Sequence, residues 1–108
     1  MKLYIGGAFQ GQDGLARLEN PNAVIFADFH ETVREALLNG RDPREFAREI
    51  CEKQPDAVIV ADEVGSGVVP VLKEDRAYRE AVGRALCVIA QASEQVTRVV
   101  CGIGVRIK

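Results

Sequence analysis

The feature that most constrains this chain is an apolar segment that leads directly into a glycine-rich turn. Residues 3–14 read LYIGGAFQGQDG. Gly6 and Gly11 have the spacing of the phosphate-loop template G-x-x-x-x-G-K-[ST], but Gln12 stands at the lysine position and Asp13 at the Ser/Thr position. The pattern predicts a strand followed by a loop of the phosphate-binding type that lacks the usual cation.

This motif alone leaves two interpretations open. In the first, residues 6–13 form a degenerate phosphate loop, in which backbone N–H groups and a helix N-terminus face a phosphate. A carboxylate about 4 Å from a phosphate oxygen costs roughly 4 kcal/mol at an effective dielectric constant of about 20, so Asp13 would oppose binding. In the second, the turn is an ordinary strand-to-helix connection and Asp13 is the N-cap of a short helix that begins at Gly14.

Composition narrows the class of protein. The 108 residues include 14 Lys and Arg against 16 Asp and Glu, a net charge of −2, which predicts one domain over residues 1–108 and no nucleic-acid partner. No apolar run has the length of a membrane span or of a signal peptide, so we expect no membrane partner and a cytoplasmic location. Cys51, Cys87 and Cys101 are widely spaced, which predicts buried free thiols and no structural metal.

Apolar runs and breakers predict the remaining elements. Residues 23–27 and 57–61 are continuous apolar runs typical of strands buried on both faces. Apolar residues at helical spacing predict one helix after Asp28, a second that begins at Asp42-Pro43 with Asp42 as N-cap, and a third over residues 73–94. Residues 96–101 predict a last core strand and residues 103–107 a short edge strand or tail. The order predicts an α/β fold with a small parallel sheet flanked by helices.

A parallel sheet of this kind brings several polar or glycine-rich segments to one edge. Ligands bind at the carboxyl ends of the strands, where residues 6–13, Asp28 and the second glycine-rich loop at residues 63–70 emerge. The strand that ends at Asp62-Glu63 has the outline of a magnesium-binding Walker B strand, although many α/β strands end in an acid. The predicted nucleotide-binding residues are Gly6, Gly7, Ala8, Phe9, Gln10, Gly11, Gln12, Asp13, Glu63, Gly65 and Gly67.

Four segments carry a resemblance to a known family. They are IGGA at residues 5–8, EVGSGVVP at 63–70, residues 76–84, and VCGIGVRIK at 100–108. Together they resemble the bifunctional adenosylcobinamide kinase / adenosylcobinamide-phosphate guanylyltransferase family of cobalamin biosynthesis. The resemblance implies a P-loop NTPase-like fold, a GTP or ATP site with Mg²⁺, a corrinoid ligand and a homo-oligomer, specifically a trimer. Asp28 and Glu63 match acidic residues of this family and are the predicted Mg²⁺ ligands. Family members are longer, so this chain looks like an abridged relative.

This chain departs from the family pattern at the positions that carry the family's chemistry. The family loop reads GGARSGKS, so Phe9, Gln10, Gln12 and Asp13 replace Arg, Ser, Lys and Ser. The family's guanylylated histidine lies in a segment that this chain lacks. We do not assign its role to His30, which we expect to be solvent-exposed or to cap a backbone group.

Three functions follow from these observations. The first is a degenerate nucleotide-binding relative in corrinoid metabolism, with weak or absent catalysis. The second is a non-catalytic oligomeric interaction module that retains the family fold. The third is an unrelated small-ligand enzyme that uses Asp28, Asp62 or Glu63 as acid or base.

Overall fold

The computed structural model describes residues 1–64 and 73–108. Most of the second glycine-rich loop, including Gly65 and Gly67, lies outside these residues. The elements of the described chain, in order, are β1 (Lys2–Gly6), α1 (Gln12–Glu19), β2 (Ile25–Phe26), α2 (Phe29–Leu38), α3 (Pro43–Lys53), β3 (Val58–Asp62), α4 (Lys73–Ala92), β4 (Gln95–Val100) and β5 (Ile103–Arg106). No helix in the described ranges is long and apolar enough to cross a membrane.

The strands form one mostly parallel sheet in the order β2-β3-β1-β4-β5. β2, β3, β1 and β4 pair in parallel, which confirms the predicted α/β fold with a sheet flanked by helices. β5 pairs antiparallel with β4. The reason is the tight turn between them, in which Cys101 (φ 51°) and Gly102 (φ 77°) are both left-handed. A two-residue turn joins antiparallel strands, whereas a parallel pair needs a longer crossover.

Alternating side chains divide the core between the two faces of the sheet. β3 is buried on both faces because β1 and β2 flank it and helices cover both sides. On one face the strands pack against α2, α3 and α4, and the buried residues include Leu3, Ile59, Val96, Phe29, Val33, Ala47, Val82, Ala85 and Ile89. On the other face they pack against α1, and the buried residues are Tyr4, Val58, Val60, Val99 and Ala16.

The helix starts and stops follow local signals. Asp42 is the N-cap of α3, since its Oδ1 accepts hydrogen bonds from the amides of Arg44 (2.8 Å) and Glu45 (3.3 Å), with Pro43 in the first turn. Gly40 has φ 75° just after α2, where a left-handed residue ends a helix. The start of α3 at Asp42-Pro43, with Asp42 as N-cap, was predicted from the sequence and is confirmed.

Two predictions of burial are wrong. The run at residues 23–27 forms only the two-residue strand β2, which is half-buried rather than buried on both faces, because it lies at the edge of the sheet and pairs with β3 alone. The three cysteines are free, but Cys87 and Cys101 are exposed and only Cys51 is half-buried. Cys87 lies on the outer side of α4 and Cys101 lies in the turn between β4 and β5.

Candidate functional site

The loop after β1 and the end of β3 meet at the carboxyl edge of the sheet. Gly6 pairs in register with Asp62, and the Glu63 amide donates to the Gly6 carbonyl at 2.7 Å. A Cβ on Gly6 would lie 2.6 Å from the Val99 carbonyl oxygen, so only glycine lets β1 and β4 approach this closely here. The phosphate-type loop, residues 6–13, therefore starts from a tightly fixed point.

Backbone amides of this loop remain available to a ligand. The N–H groups of residues 8–14 donate to no acceptor within the two described ranges. Phe9 (φ 60°) and Gly11 (φ 89°) are left-handed, and Gly11 immediately precedes α1. Successive amides in turns of this type, followed by a helix N-terminus, form a concave site for an anion.

Gln12 occupies the position of the phosphate-loop lysine and is buried, with 5% of its surface exposed. Its Nε2 donates to the carbonyls of Gly6 (3.3 Å) and Gly7 (3.1 Å) and to Asp62 Oδ1 (2.8 Å). All three partners are acceptors, so the orientation of the amide is determined. A neutral donor thus holds the loop and one carboxylate at the place where the template has a cation.

Asp13 is not the N-cap that the sequence predicted. α1 begins at Gln12, two residues earlier than expected, its N-cap is Gly11, and no side chain caps it. Asp13 consequently falls in the first turn, where both carboxylate oxygens accept from Arg17 Nε at 3.1 and 3.2 Å. This exposed pair is a favourable i,i+4 contact that partly offsets the negative charge of Asp13.

His30 is buried, so the solvent-exposed alternative is wrong, and its ring instead satisfies a backbone amide, which was the other alternative. Only 7% of its surface is accessible, and its Nδ1 accepts from the Asp62 amide at 3.1 Å. Its Nε2 lies 3.6 Å from Asp62 Oδ2 and 3.8 Å from Glu31 Oε1. Because Nδ1 accepts a hydrogen bond from a backbone amide, the neutral ring carries its proton on Nε2. Gln12 and His30 therefore hold Asp62 from two sides.

The two predicted magnesium ligands lie at this edge but have different surroundings. Asp28 is exposed and left-handed (φ 53°), and it caps α2 through its carbonyl, which accepts from the Glu31 amide at 2.9 Å. The Glu63 carboxylate lies 3.4 Å from Arg98 Nε. No group of three or more His, Cys, Asp or Glu in the described chain could hold a metal ion. Mg²⁺ binding by Asp28 and Glu63 therefore stays a prediction.

A pocket of about 240 Å³ opens beside the loop. The Phe9 ring projects fully into solvent at its rim. The other residues that line the pocket are Ala8, Gly11, Gln12, Asp13, Asp28, Val60, Ala61 and Asp62. It has three carboxylates and no Lys or Arg among these lining residues. The pocket thus offers backbone N–H groups to a phosphate but no side-chain cation.

Gln10 connects the loop to the far side of the sheet. Its carbonyl accepts from the Gly102 amide at 2.7 Å, and its Oε1 accepts from the Cys101 amide at 2.8 Å. The β4–β5 turn therefore supports the apex of the loop. This link was not predicted from the sequence, and neither were the positions of Gln12 and His30 around Asp62. The only signal for the latter was the position of Asp62 at the end of the most apolar strand.

The comparisons with known proteins agree on one family. The family model described as cobinamide kinase / cobinamide phosphate guanyltransferase matches residues 19–107, a range that begins after the phosphate-type loop. The bifunctional adenosylcobalamin biosynthesis protein CobU of Escherichia coli is 32% identical over 109 residues, covering 82% of this chain and 60% of that protein. The protein of the same name from Salmonella typhimurium is 42% identical over 59 residues, covering 54% of this chain and 33% of that protein. The chain spans less than two thirds of the length of these relatives.

Proposed function

Because this chain belongs to the cobinamide kinase / cobinamide phosphate guanyltransferase family, we propose that it takes part in cobalamin biosynthesis as a weak nucleotide-binding domain. The ligand is GTP or ATP with Mg²⁺, and catalysis is weak or absent. The proposed contacts come from residues 6–13 and Glu63, together with Gly65 and Gly67, which lie outside the described residues. A corrinoid is the proposed second ligand, since the names of both relatives refer to adenosylcobalamin biosynthesis.

One observation carries this proposal: the loop keeps its anion-binding backbone but has lost its cation. The amides of residues 8–14, which donate to no acceptor in residues 1–64 or 73–108, can supply hydrogen-bond donors to phosphate oxygens. Gln12 replaces the lysine with a neutral amide, and Asp13 replaces the hydroxyl that the template uses as a Mg²⁺ ligand. The backbone therefore favours a nucleotide while the side chains weaken its binding.

The same replacements argue against efficient phosphoryl transfer. Catalysis of this reaction depends on positioning and on stabilising the charge of the transferring group. Removing one such stabilising donor typically lowers kcat by about 10²–10³, and here both the lysine and the Ser/Thr hydroxyl of the template are replaced, by Gln12 and Asp13. His30 is no substitute nucleophile, because it is buried and its Nδ1 is engaged by the Asp62 amide.

A second function is favoured by a different surface. Val100, Ile103, Val105 and Ile107 are exposed, and the pairing of Val100 with Ile103 places the first three on one face of the β4–β5 hairpin. An exposed apolar face on an edge strand is suited to contact with another copy or another protein. Asp13 is also engaged along its own helix by Arg17. These features support a non-catalytic oligomeric module, for which the family resemblance implies a trimer.

Calorimetric titration with Mg-GTP and Mg-ATP tests the first proposal. We expect saturable heat with a Kd in the range of about 0.1–1 mM, since the backbone contacts persist without the lysine. Gly11→Ala serves as the loop variant and Gly40→Ala as its matched control, because both glycines have a positive φ but only Gly11 lies in the loop. Binding should be lost in Gly11→Ala and retained in Gly40→Ala.

The outcome separates the two functions. No heat with either nucleotide at millimolar concentration would overturn the nucleotide-binding proposal. Sedimentation velocity on the same samples tests the second function. A stable oligomer that persists without nucleotide would support the interaction module, and a monomer at high concentration would exclude it.

A further inference from the structure

A second pocket lies between α3 and α4 and shares no lining residue with the loop pocket. Its volume is about 450 Å³. We call it the α3–α4 groove, and the polar residues that matter for its chemistry are Arg44, Arg48, Glu80, Arg84 and Cys87. This volume is in the range of sites that hold small molecules.

The groove is positively charged in a chain that is negative overall. Arg44 and Arg48 are four residues apart, so their side chains lie on the same side of α3. Neither guanidinium has an ion pair or hydrogen bond to any part of the described chain. Arg84 pairs with Glu80 across one turn of α4. Two guanidinium groups therefore remain uncompensated within one pocket.

Other basic residues close by are neutralised. Arg41 pairs with Glu49 and stacks over the Phe46 ring, and Lys53 pairs with the same Glu49 carboxylate at 3.2 Å. Arg41, just before α3, and Lys53, at its C-terminal end, thus have a carboxylate partner, whereas Arg44 and Arg48 have none among the described residues.

Gly83 also lines the groove, and packing within the described chain does not explain why this residue is glycine. It is inside α4, where glycine costs roughly 0.5–1 kcal/mol relative to alanine, yet an added Cβ would meet no atom of residues 1–64 or 73–108 within 4 Å. Within that part of the chain, neither close packing nor a positive φ requires glycine at this position. Its missing side chain leaves space on the α4 side of the groove.

We propose that the α3–α4 groove binds a small ligand through a phosphate group. The planar guanidinium donates two parallel N–H bonds to an oxyanion, and a pair of guanidiniums one helical turn apart suits a group with two or more negative charges. A phosphate monoester or a diphosphate has this chemistry. The site is separate from the phosphate-type loop and does not depend on nucleotide binding there.

Two native thiols distinguish the two sites. Cys87 is exposed in the groove, and Cys101 is exposed beside the loop, where its amide donates to Gln10. The experiment measures the rate of alkylation of each thiol by N-ethylmaleimide, using peptide mass spectrometry, with pyrophosphate as the probe. With about 10 mM pyrophosphate and a Kd near 1 mM, we expect alkylation of Cys87 to slow by about tenfold. Citrate at the same ionic strength should protect Cys87 less.

Two double variants test whether the protection of Cys87 from alkylation depends on Arg44 and Arg48. Arg44→Gln/Arg48→Gln should abolish the protection of Cys87. Lys73→Gln/Arg106→Gln removes the same charge outside the groove and should retain it, with circular dichroism used to confirm that all variants are folded.

Three results would overturn the proposal. They are no protection of Cys87, equal protection in the double arginine variant, and protection by citrate as strong as that by pyrophosphate. Protection of Cys101 alone would locate the anion at the loop. That result would support the proposed function and contradict the groove site.

Discussion

Restoring a lysine at position 12 is the most direct test of how this loop treats phosphate. Gln12 Nε2 has two hydrogens but lies within 3.3 Å of three acceptors, the carbonyls of Gly6 and Gly7 and Asp62 Oδ1. A lysine ammonium has three hydrogens and carries a charge. The acceptors that surround Gln12 would therefore accommodate Gln12→Lys without rearrangement of the loop.

The expected gain follows from the charge. A lysine ammonium about 4 Å from a phosphate oxygen is worth roughly 4 kcal/mol at an effective dielectric constant of about 20. Asp62 would accept from the new ammonium and reduce this gain, and Asp13 remains to repel the phosphate. We expect a net gain of about 1.5–3 kcal/mol, which corresponds to a Kd roughly 10–100-fold lower.

Calorimetry with Mg-GTP and Mg-ATP measures this change directly. Gln54→Lys is the matched control, because it adds the same charge at the exposed C-terminal end of α3, outside the loop pocket. The gain in Gln12→Lys should also shrink as salt concentration rises, since the loop is open to solvent.

A folded Gln12→Lys protein that binds no more tightly than Gln54→Lys would refute this prediction. Such a result would mean that the backbone amides of residues 8–14 do not face a phosphate. The loop would then be an ordinary strand-to-helix turn, which is the second interpretation of the motif.

Two further predictions concern stability. Gly6→Ala places a Cβ 2.6 Å from the Val99 carbonyl oxygen and should lower the free energy of unfolding by about 1–3 kcal/mol, measured by urea denaturation. Gly14→Ala, whose Cβ meets no atom of the described residues within 4 Å, should be neutral or stabilising. Equal losses in both variants would contradict this prediction. Burial and then the hydrogen bond to Glu19 raise the pKa of Tyr4. Because the pKa of Tyr4 in the folded state exceeds its value in the unfolded state, the protonated hydroxyl contributes to the free energy of unfolding. This contribution is present below pH ~10 and is lost as pH rises through the folded-state pKa. Tyr4→Phe should therefore reduce the alkaline loss of stability, and an unchanged pH profile would exclude this contribution.

Local signals in the sequence were sufficient for most of the fold. The apolar run at residues 57–61 predicts β3, and Asp42-Pro43 predicts the start of α3, because hydrophobic burial and helix capping act over a few neighbouring residues. The family resemblance was also carried by local segments, and the match over residues 19–107 confirms it.

Tertiary structure decided what lies around each of these segments. The length of a run does not show whether its strand is central or at an edge, so the shortness and partial exposure of β2 followed only from its single neighbour, β3. At the site, Gln12 and His30 reach Asp62 from 50 and 32 residues away along the chain. No periodicity or spacing encodes these contacts, since the first depends on the pairing of β1 with β3 and the second on the packing of α2 against β3. The sequence determined that the loop has no lysine, and the fold determined that a glutamine amide holds the loop at that position.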